Sequence, residues 1–315
     1  MPLVSIIIPN YNNSKWLSSC IESCLLQEGN FQKEIIVVDD QSTDDSWRIL
    51  EEYQSNYPSE VFIYKNPSKG GNQARNFGFT KASGDYIQWL DSDDLLLPGK
   101  LATQLKFLVA HSNLDIAYSD WRMDFYEGAV KTREEVRIEK KYNSFLKALV
   151  EDRWLPNNSY LLKRSIAKRL HEIQAWNPKR KVGQDREYFT MAAIIGARFT
   201  YVLGVFSVYN RWSSKSVSSI NFKFRLKLNQ DLELKFMESI VAEEWISPPD
   251  KKELLALLKT HGLKACYYHP KLRLLSPMSF FEIKWGIIHK KMRVVIPFIW
   301  GFQTVSYYVN SISKS

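Results

Sequence analysis

Residues 84–94 read Gly-Asp-Tyr-Ile-Gln-Trp-Leu-Asp-Ser-Asp-Asp, an apolar run that leads directly into acidic residues. The pattern predicts a strand over 86–90, followed within four residues by Asp91, Asp93 and Asp94. Carboxylates this close repel one another unless a cation neutralises part of their charge. Mg²⁺ and Mn²⁺ do so with one or two protein carboxylates, and take their other oxygens from substrate phosphates and water. We therefore expect a metal-binding acidic loop at the carboxyl end of a strand, with a solvated acidic loop as the alternative.

On both sides of this stretch, short β-branched runs alternate with amphipathic helical patterns. The predicted strands are 4–9, 34–38, 61–65, 86–90 and 115–119, and the predicted helices are 15–27, 46–56, 73–81 and 99–111. Alternation of this kind is typical of an α/β fold with a mostly parallel, Rossmann-like sheet between helices. After residue 120 the pattern loosens into a second lobe that completes the sheet, with strands at 159–162 and 198–209 and helices at 143–151 and 184–195. Two long helical patterns, 222–244 and 249–268, precede the C-terminal tail.

A second apolar run, 35–38, ends in Asp39 and Asp40. Carboxylates at the carboxyl end of a buried parallel strand lie at the crevice where open α/β sheets bind ligands. An ionised Asp there accepts hydrogen bonds from a base or a ribose hydroxyl. The alternative is a helix start, with Ser42 as N-cap and Asp45 completing the capping pattern.

Glycines at 70 and 71 precede Arg75, which the helical pattern puts at a helix start. A fixed guanidinium at this position suits a phosphate or a base edge, and a surface salt bridge is the alternative. Elsewhere the sequence has neither the Gly-x-Gly-x-x-Gly of dinucleotide-binding folds nor a Walker A loop, and Pro-Asn-Tyr-Asn at 9–12 follows the first strand. The sequence therefore disfavours classical NAD enzymes and P-loop NTPases.

Four motifs together resemble the nucleotide-sugar half of family 2 glycosyltransferases with the GT-A fold. They are Pro9 with Tyr11-Asn12, Val-Asp-Asp-Gln-Ser-Thr-Asp at 38–44, Ala-Arg-Asn-Phe-Gly at 74–78 and Leu-Asp-Ser-Asp-Asp at 90–94. The resemblance is firm over residues 3–110 and looser over 111–218. It implies inverting transfer of a sugar from a nucleoside diphosphate, with UDP the expected one, to an acceptor hydroxyl, assisted by Mn²⁺ or Mg²⁺.

The resemblance also assigns roles to individual positions. It implies a nucleotide-sugar pocket made of Pro9, Tyr11, Asn12, Asp39, Asp40, Arg75, Asp91, Ser92 and Arg211. Asp40 would meet the base, and Arg75 the base or the diphosphate. Asp93 is the first expected metal ligand, with Asp91 as its partner in the Asp-x-Asp pair and Asp94 beside them.

The expected catalytic base is Asp185, since an inverting displacement needs a carboxylate opposite the leaving diphosphate. Such enzymes often have Glu before this Asp, where the present chain has Gln184. The alternative is a carboxylate that merely favours a helix N-terminus, and Glu187 is the second candidate for the base. The segment 209–218 resembles one that closes the active site, with Trp212 where His is commoner.

Composition places the chain among globular proteins: 315 residues, 45% hydrophobic and 24% charged. Three cysteines, at 20, 24 and 266, match neither a disulfide framework nor a common zinc pattern, so a reducing compartment is expected. The N-terminus has no basic region of the kind that opens a signal peptide, and the longest apolar stretch, 294–302, is shorter than the roughly 20 residues of a membrane span. These features predict a cytoplasmic protein.

The net charge of +9 is concentrated at the C-terminal end. Residues 259–315 contain nine Lys or Arg against one acid, Glu282, whereas the first 258 residues carry +1. Apolar residues at alternating spacings of four and three predict a basic amphipathic helix from Phe280 onward, which Pro297 would kink or end. Such a helix would either bind the anionic inner face of the cell membrane or pack on the catalytic domain, and RNA is a remote third partner.

The sequence thus predicts a nucleotide-sugar-binding α/β half at 1–110, an acceptor-binding half at 111–220 and a helical, basic and aromatic extension at 221–315. The predicted activity is sugar transfer to a glycan or lipid-linked acceptor in bacterial cell-surface polysaccharide synthesis. A sugar nucleotidyltransferase is one alternative, although such enzymes usually open with a Gly-rich loop and a basic residue. A catalytically silent nucleotide-sugar-binding module is the other.

Overall fold

The computed structural model describes residues 1–212, 230–268, 280–288, 292–293, 295–301 and 303–304. These residues fall into two compact units. Unit 1 holds residues 1–143, 155–188 and 197–212, and unit 2 holds residues 144–154, 189–196 and the described residues after 229. Each unit combines several separate segments of the chain, so the units do not test the domain boundaries predicted at 110 and 220. Those boundaries remain predictions.

Unit 1 is built on a nine-stranded sheet, counted over the described residues. Its strands are β1 (Leu3–Asn10), β2 (Gln32–Asp39), β3 (Val61–Lys65), β4 (Tyr86–Trp89), β5 (Leu95–Leu96), β6 (Ile116–Glu127), β7 (Val130–Arg137), β8 (Tyr160–Lys163) and β9 (Phe199–Trp212). Their order is β3-β2-β1-β4-β8-β6-β9-β5, and β7 pairs with β6 outside this path. The predicted α/β fold is confirmed, and the second lobe completes the sheet as expected.

The first four strands of this order are parallel, and the second lobe makes the sheet mixed. β8 runs antiparallel to both β4 and β6, whereas β9 is parallel to β6. Strands β1 and β2 are parallel in a register that pairs Ile6 with Ile35. Their central residues are fully buried because helices cover both faces, so these strands have continuous apolar runs.

The helices of unit 1 are α1 (Ser14–Leu25), α2 (Ser46–Asn56), α3 (Gly71–Lys81), α4 (Lys100–Ala110) and α6 (Arg164–Glu172). Helix α5 (Phe145–Val150) belongs to unit 2, and α7 (Gln184–Ile194) begins in unit 1 and continues into unit 2. Helix α3 lies very close to the sheet at Gly78, where a Cβ would come within 2.6 Å of Ile7 Cγ2 and 3.2 Å of Val38 Cγ2. This close approach is why the Ala-Arg-Asn-Phe-Gly motif ends in glycine.

Unit 2 also contains α8 (Gln230–Ala242) and α9 (Pro248–Tyr268). The N-terminal part of the predicted helix 222–244 lies outside the described residues. Beyond α9, buried Ile283, Ile288, Met292 and Ile296 pack with Leu263 of α9. The described part of the tail therefore packs on a helix of its own unit.

The tail does not form the single amphipathic helix that the sequence predicts from Phe280. Residues 280–288 contain two short 3-10 turns, Phe280–Glu282 and Trp285–Ile287, and among the described residues after them an α-helix begins at residue 296. Pro297 lies in the first turn of that helix, where its missing N–H has no intrahelical partner in any case. It therefore starts a helix instead of ending one.

Three elements have no counterpart among the predicted ones: β5, β7 and α6. Strand β7 falls in a segment that is almost entirely polar and exposed, so it has no alternating apolar face to reveal it. Among the described helices, none is both long enough and apolar enough to cross a bilayer.

Candidate functional site

The carboxyl ends of three neighbouring strands form the candidate site. Because β1 lies between β2 and β4, and all three are parallel, Asn10, Asp39 and the residues after Trp89 come to the same edge of the sheet. Leu90 N donates to Ile7 O at 3.1 Å and Asp40 N donates to Asn10 O at 2.7 Å, which extends the ladder into the loops. The strand order alone therefore brings Asp39 and Asp40 close to the acidic loop of residues 91–94.

Asp39 fastens the loop between β2 and α2. Its two oxygens accept from Asn10 Nδ2 at 2.9 Å and from Ser42 N at 3.0 Å, and the residue is buried. The capping alternative with Ser42 as N-cap is wrong, since α2 begins at Ser46, where Asp44 Oδ1 accepts from Ser46 N at 3.0 Å. Asp39 thus has a clear structural role beside any contact with a ligand.

Asp40 holds the glycine loop that precedes α3. Its Oδ1 accepts from Asn66 Nδ2 at 2.6 Å, and its Oδ1 and Oδ2 lie 2.8 and 2.9 Å from Gly70 N. Gly70 has φ +129°, a conformation that side-chain-bearing residues rarely adopt. The residue expected to meet the base therefore also sets the shape of the neighbouring loop.

The loop after β1 is held by hydrogen bonds to the β2–α2 loop. Asn12, with φ +48°, accepts from Thr43 N at 2.7 Å through Oδ1, and its own N–H donates to Ser42 Oγ at 2.9 Å. Pro9 is half-buried at the end of β1, and Tyr11 is 49% exposed under the ammonium of Lys69. An exposed ring at a strand edge is suited to stacking on a flat ligand.

Arg75 is buried beneath the acidic loop instead of lying at a surface salt bridge. Its Nη2 donates to Asp91 Oδ1 at 2.5 Å, and its Nη1 donates to Asn72 at 3.0 Å and to Gln184 Oε1 at 3.2 Å. The guanidinium also lies over the Trp176 ring, 4.5 Å from its centroid. Arg75 therefore joins the acidic loop to the first turn of α7.

The first two carboxylates of the acidic loop also receive donors from the second lobe. Asn157 Nδ2 donates to Asp91 Oδ1 at 2.9 Å, and Trp212 Nε1 donates to Asp93 Oδ2 at 3.1 Å. Between them, Ser92 is buried and its hydroxyl accepts from Asn13 Nδ2 at 2.9 Å. Ser92 thus lies inside the site, facing the loop after β1.

Asp94 is the most enclosed of the three. Its Oδ1 accepts from Asn210 N at 2.8 Å, its Oδ2 accepts from Asn158 Nδ2 at 3.2 Å, and the residue is only 1% exposed. Asn158 Nδ2 also donates to Val208 O at 2.9 Å. We therefore assign Asp94 to anchoring β9, and the expectation that it binds a metal gains no support from its geometry.

Burial and mutual repulsion raise the pKa values of two of these carboxyls. Burial, followed by the negative charge of Asp91, raises the pKa of Asp93 to about 6. Burial also raises the pKa of Asp94 well above its usual value, with Asp93 and Asp91 adding to it. The charge of Asp185 is a further, smaller contributor to the raised pKa of Asp94.

Asp185 is half-buried in the first turn of α7, next to Gln184. The second candidate, Glu187, is fully buried and accepts from Arg180 Nε at 2.9 Å. This buried ion pair ties Glu187 to Arg180 in the segment before α7, and it removes Glu187 from the solvent side of the site. Asp185 is therefore the carboxylate of α7 that suits proton transfer.

Aromatic rings from two other segments contact the Trp212 indole. Trp212 stacks on Trp16 with centroids 4.0 Å apart and contacts Tyr126 at 4.3 Å. Arg211, its neighbour on β9, is exposed and lies over Phe125. Alternation along a strand puts adjacent residues on opposite faces, so the structure does not bring Arg211 together with the acidic loop. Residues 213–218 of the predicted closing segment lie outside the described residues.

The donor set fits a hard divalent cation. Asp93 keeps one oxygen, Oδ1, that accepts from no other residue in the described chain, and its raised pKa reflects a charge that a cation would stabilise. Mg²⁺ and Mn²⁺ need only one or two such carboxylates. Within the described residues there is no cluster of three His, Cys, Asp or Glu that could hold a metal ion.

Comparison with known proteins agrees with this geometry. The model of glycosyl transferase family 2 matches residues 5–168. The chain belongs to glycosyltransferase family 2. The matched region contains β1 to β4, the acidic loop and the Asn157–Asn158 pair, so most of the candidate site lies within the family domain.

Individual relatives match shorter or more distant parts. The minor teichoic acid biosynthesis protein GgaB of Bacillus subtilis is 39% identical over 110 residues, which is 35% of this chain and 12% of GgaB. S. aureus TarS 1–349 in complex with UDP-GlcNAc aligns over 84% of this chain and 73% of TarS 1–349, with a TM-score of 0.62 and 17% identity. Mannosyltransferase PcManGT from Pyrobaculum calidifontis, in complex with GDP-Man and Mn²⁺, aligns over 85% of this chain and 72% of that one, with a TM-score of 0.56 and 19% identity. These two structures show the fold. The chain covers less than two thirds of the length of these curated relatives, from 12% of GgaB to 58% of a glycosyltransferase of Methanocaldococcus jannaschii.

Sequence reasoning missed the donors that the second lobe supplies to the acidic loop. They are Asn157, Asn158, Asn210 and the indole N–H of Trp212. Consecutive asparagines immediately before a strand were the one local signal, because Asn in a strand context is unfavourable unless its amide has a partner. The roles of the nine pocket residues, of Asp185 and of the metal ligands remain predictions.

Proposed function

We propose that this protein is an inverting glycosyltransferase that transfers a sugar from a nucleoside diphosphate sugar, with UDP as the expected nucleotide, to a hydroxyl of a glycan or lipid-linked acceptor. The observation that carries the proposal is the meeting, at one sheet edge, of Asp91 and Asp93 with the first turn of the helix that contains Asp185. Similarity to a teichoic acid biosynthesis protein supports a role in cell-surface polysaccharide synthesis. A cytoplasmic location stays a prediction.

The chemistry requires a base and a stabilised leaving group. The acceptor oxygen forms a bond to the anomeric carbon, the bond from that carbon to the diphosphate oxygen breaks, and Asp185 takes the acceptor proton. Asp93, with Asp91, would hold Mg²⁺ or Mn²⁺, which would supply Lewis-acid stabilisation of the diphosphate. Asp185 is half-buried, so it can both contact an acceptor and be shielded from bulk water by it.

The rest of the site orients these groups. Arg75 balances the charge of Asp91 and connects it to Gln184, one residue before the proposed base. Displacing either end would therefore move the acidic loop and the base relative to each other. Small displacements of this kind are costly, because catalysis depends on near-attack geometry.

The first test measures thermal stabilisation by UDP, GDP, dTDP and CMP, each with and without Mn²⁺. We expect one nucleotide to stabilise the native chain in a metal-dependent way and to lose this effect in Asp93→Asn. The matched control is Asp45→Asn, an exposed acid whose side chain caps no helix N–H. Stabilisation that is equal in both variants, or absent with every nucleotide, would contradict the proposed donor site.

The second test separates turnover from binding. Slow hydrolysis of the matching nucleotide sugar is expected in the native chain and should fall by roughly 10²–10⁴-fold in Asp185→Asn, the usual contribution of a general base. Nucleotide stabilisation should be unchanged in this variant. Nucleotide binding with no hydrolysis in either chain would instead indicate a silent nucleotide-sugar-binding module.

A further inference from the structure

The end of β9 is joined to the acidic loop by three hydrogen bonds. Asn210 N donates to Asp94 Oδ1 at 2.8 Å, and the Asn210 side-chain amide donates to Asp93 O. Side chains two residues apart on a strand lie on the same face, so Trp212 is directed towards the same loop as Asn210. The third bond runs from Trp212 Nε1 to Asp93 Oδ2, at 3.1 Å. The position of Trp212 beside Asp93 therefore follows from how β9 is fixed.

Two rings from other elements hold the Trp212 indole. On β6, Tyr126 is the register partner of Trp212, and their ring centroids lie 4.3 Å apart. Trp16, in the first turn of α1, stacks on the indole with centroids 4.0 Å apart and an interplanar angle of 25°. Trp16 and Tyr126 also contact each other, with centroids 5.4 Å apart. Packing against two rings restricts the rotation of the indole, so the direction of its N–H does not depend on the hydrogen bond alone.

The chemistry of the indole limits what Trp212 can do at Asp93. An indole nitrogen is a donor only, so Trp212 cannot ligate a metal ion itself. Its hydrogen bond engages one oxygen of Asp93, and the other, Oδ1, accepts from no other residue among those that the structure describes. Mg²⁺ demands near-ideal octahedral geometry, so the direction of a carboxylate oxygen that binds it affects how well it binds.

We propose that Trp212 is a positioning residue for the divalent cation: its indole N–H holds Asp93 Oδ2 and leaves Oδ1 to bind the ion. The inference rests on the proposed function, since it assigns a role to Trp212 at the same donor site. Hydrogen-bond partners of metal-ligating side chains contribute roughly 10–100-fold to metal affinity or activity. Because Trp212 acts through the ion, a higher metal concentration should compensate for its loss.

A competing interpretation is that the indole blocks Asp93 and must leave before a cation binds. The two interpretations differ in sign, because removing a competing donor would tighten metal binding. The structure favours positioning on two grounds. The indole engages only Oδ2 of Asp93, and Trp16 and Tyr126 keep the ring in place whether or not the hydrogen bond forms.

The test measures Mn²⁺ affinity by electron paramagnetic resonance of free Mn²⁺, on the full chain with each of UDP, GDP, dTDP and CMP. Trp212→Phe keeps a ring for the contacts with Trp16 and Tyr126 and removes the N–H. With the nucleotide that supports Mn²⁺ binding in the native chain, this variant should bind Mn²⁺ roughly 10–100-fold more weakly. At saturating Mn²⁺, thermal stabilisation by that nucleotide should return to the native value.

A second variant tests the ring cluster. Trp16→Leu removes the ring that stacks on the indole and leaves the indole N–H in the chain. Mn²⁺ affinity should fall in this variant by a smaller factor than in Trp212→Phe. A larger loss than in Trp212→Phe would show that the site depends on the packing of the cluster and not on the indole N–H, which would overturn the proposal.

The matched control is Trp47→Phe, which removes an indole N–H that donates to another carboxylate, Glu51 Oε1 of α2, at 2.7 Å. Its Mn²⁺ affinity should be native. The positioning role is wrong if Trp212→Phe binds Mn²⁺ as tightly as the native chain or more tightly, if Trp47→Phe shows the same loss, or if saturating Mn²⁺ fails to restore nucleotide stabilisation. Mn²⁺ binding that is absent from the native chain, or unchanged in Asp93→Asn, would instead contradict the donor site itself, and the positioning role with it.

Discussion

Replacing Arg75 by Met removes the guanidinium at the centre of the candidate site while keeping an apolar side chain of similar length. Three hydrogen bonds are lost, to Asp91, Asn72 and Gln184, together with the stacking on Trp176. Breaking a buried ion pair costs about 3–5 kcal/mol. Asp91 is 31% exposed, however, so water replaces part of the loss, and we expect about 2–4 kcal/mol.

For a domain of the size of unit 1, this loss lowers the unfolding midpoint by roughly 5–15 °C. Thermal unfolding without ligand measures it, with Arg48→Met as the matched control. Arg48 is 67% exposed and pairs with Glu52 at 3.7 Å, so its loss should cost less than about 1 kcal/mol. A double-mutant cycle with Asp91→Asn should show a coupling of at least about 1 kcal/mol. If Arg75→Met unfolds no earlier than Arg48→Met, or if the cycle is additive, the guanidinium does not hold the acidic loop.

Three further changes test other parts of the structure. Asp93→Asn should stabilise the protein by about 1–2 kcal/mol at pH 7 in the presence of chelator, because ionising a carboxyl with a raised pKa opposes folding. The variant should lose this advantage as the pH falls from about 6 towards 3.8. Identical pH profiles of stability for variant and native protein would contradict the raised pKa. Gly78→Ala should destabilise by about 1–3 kcal/mol, since its Cβ meets Ile7 Cγ2 at 2.6 Å. The additional change Ile7→Ala removes Cγ2 and should therefore cost less than it does in the native chain, which additive unfolding free energies would disprove. Asn158→Leu should cost about 2–4 kcal/mol by leaving Asp94 Oδ2 and Val208 O without this donor, and a cost below about 1 kcal/mol in denaturant unfolding would show that water replaces it.

The sequence predicted the parts of the fold that depend on local pattern. Strands β1 to β4 have apolar runs of the right length, and acidic residues stand immediately after two of them. Parallel strands bring their carboxyl ends to one edge of the sheet, so the sequence pattern alone predicts that these acids lie near one another. Strand β7 escaped prediction for the opposite reason, since its residues are exposed on both faces.

Contacts between distant residues could not be predicted in this way. Arg75 was expected at a helix start, with a phosphate, a base edge or a surface salt bridge as its partner. Helix α3 begins at Gly71, however, and Trp176, about a hundred residues later, covers the guanidinium. Likewise, the carboxylates that accept from Asn157 and Asn158 lie more than 60 residues earlier in the chain. An amide side chain has no periodicity that reveals its acceptor, so only the tertiary structure identifies these pairs.

The three carboxylates of the acidic loop have separate tasks, and their donors show why. Asp94 is buried and fully engaged by Asn158 and by the backbone of β9, so its charge is used to fix the loop against the second lobe. Asp91 is balanced by Arg75. Only Asp93 combines a free oxygen with a raised pKa, and such a group gains most from a cation or from a substrate that carries one. The acids of the loop therefore differ in their contacts: Asp94 fixes the loop to β9, Asp91 is tied to Arg75, and Asp93 keeps an oxygen for the proposed cation, with Asp91 as its expected partner.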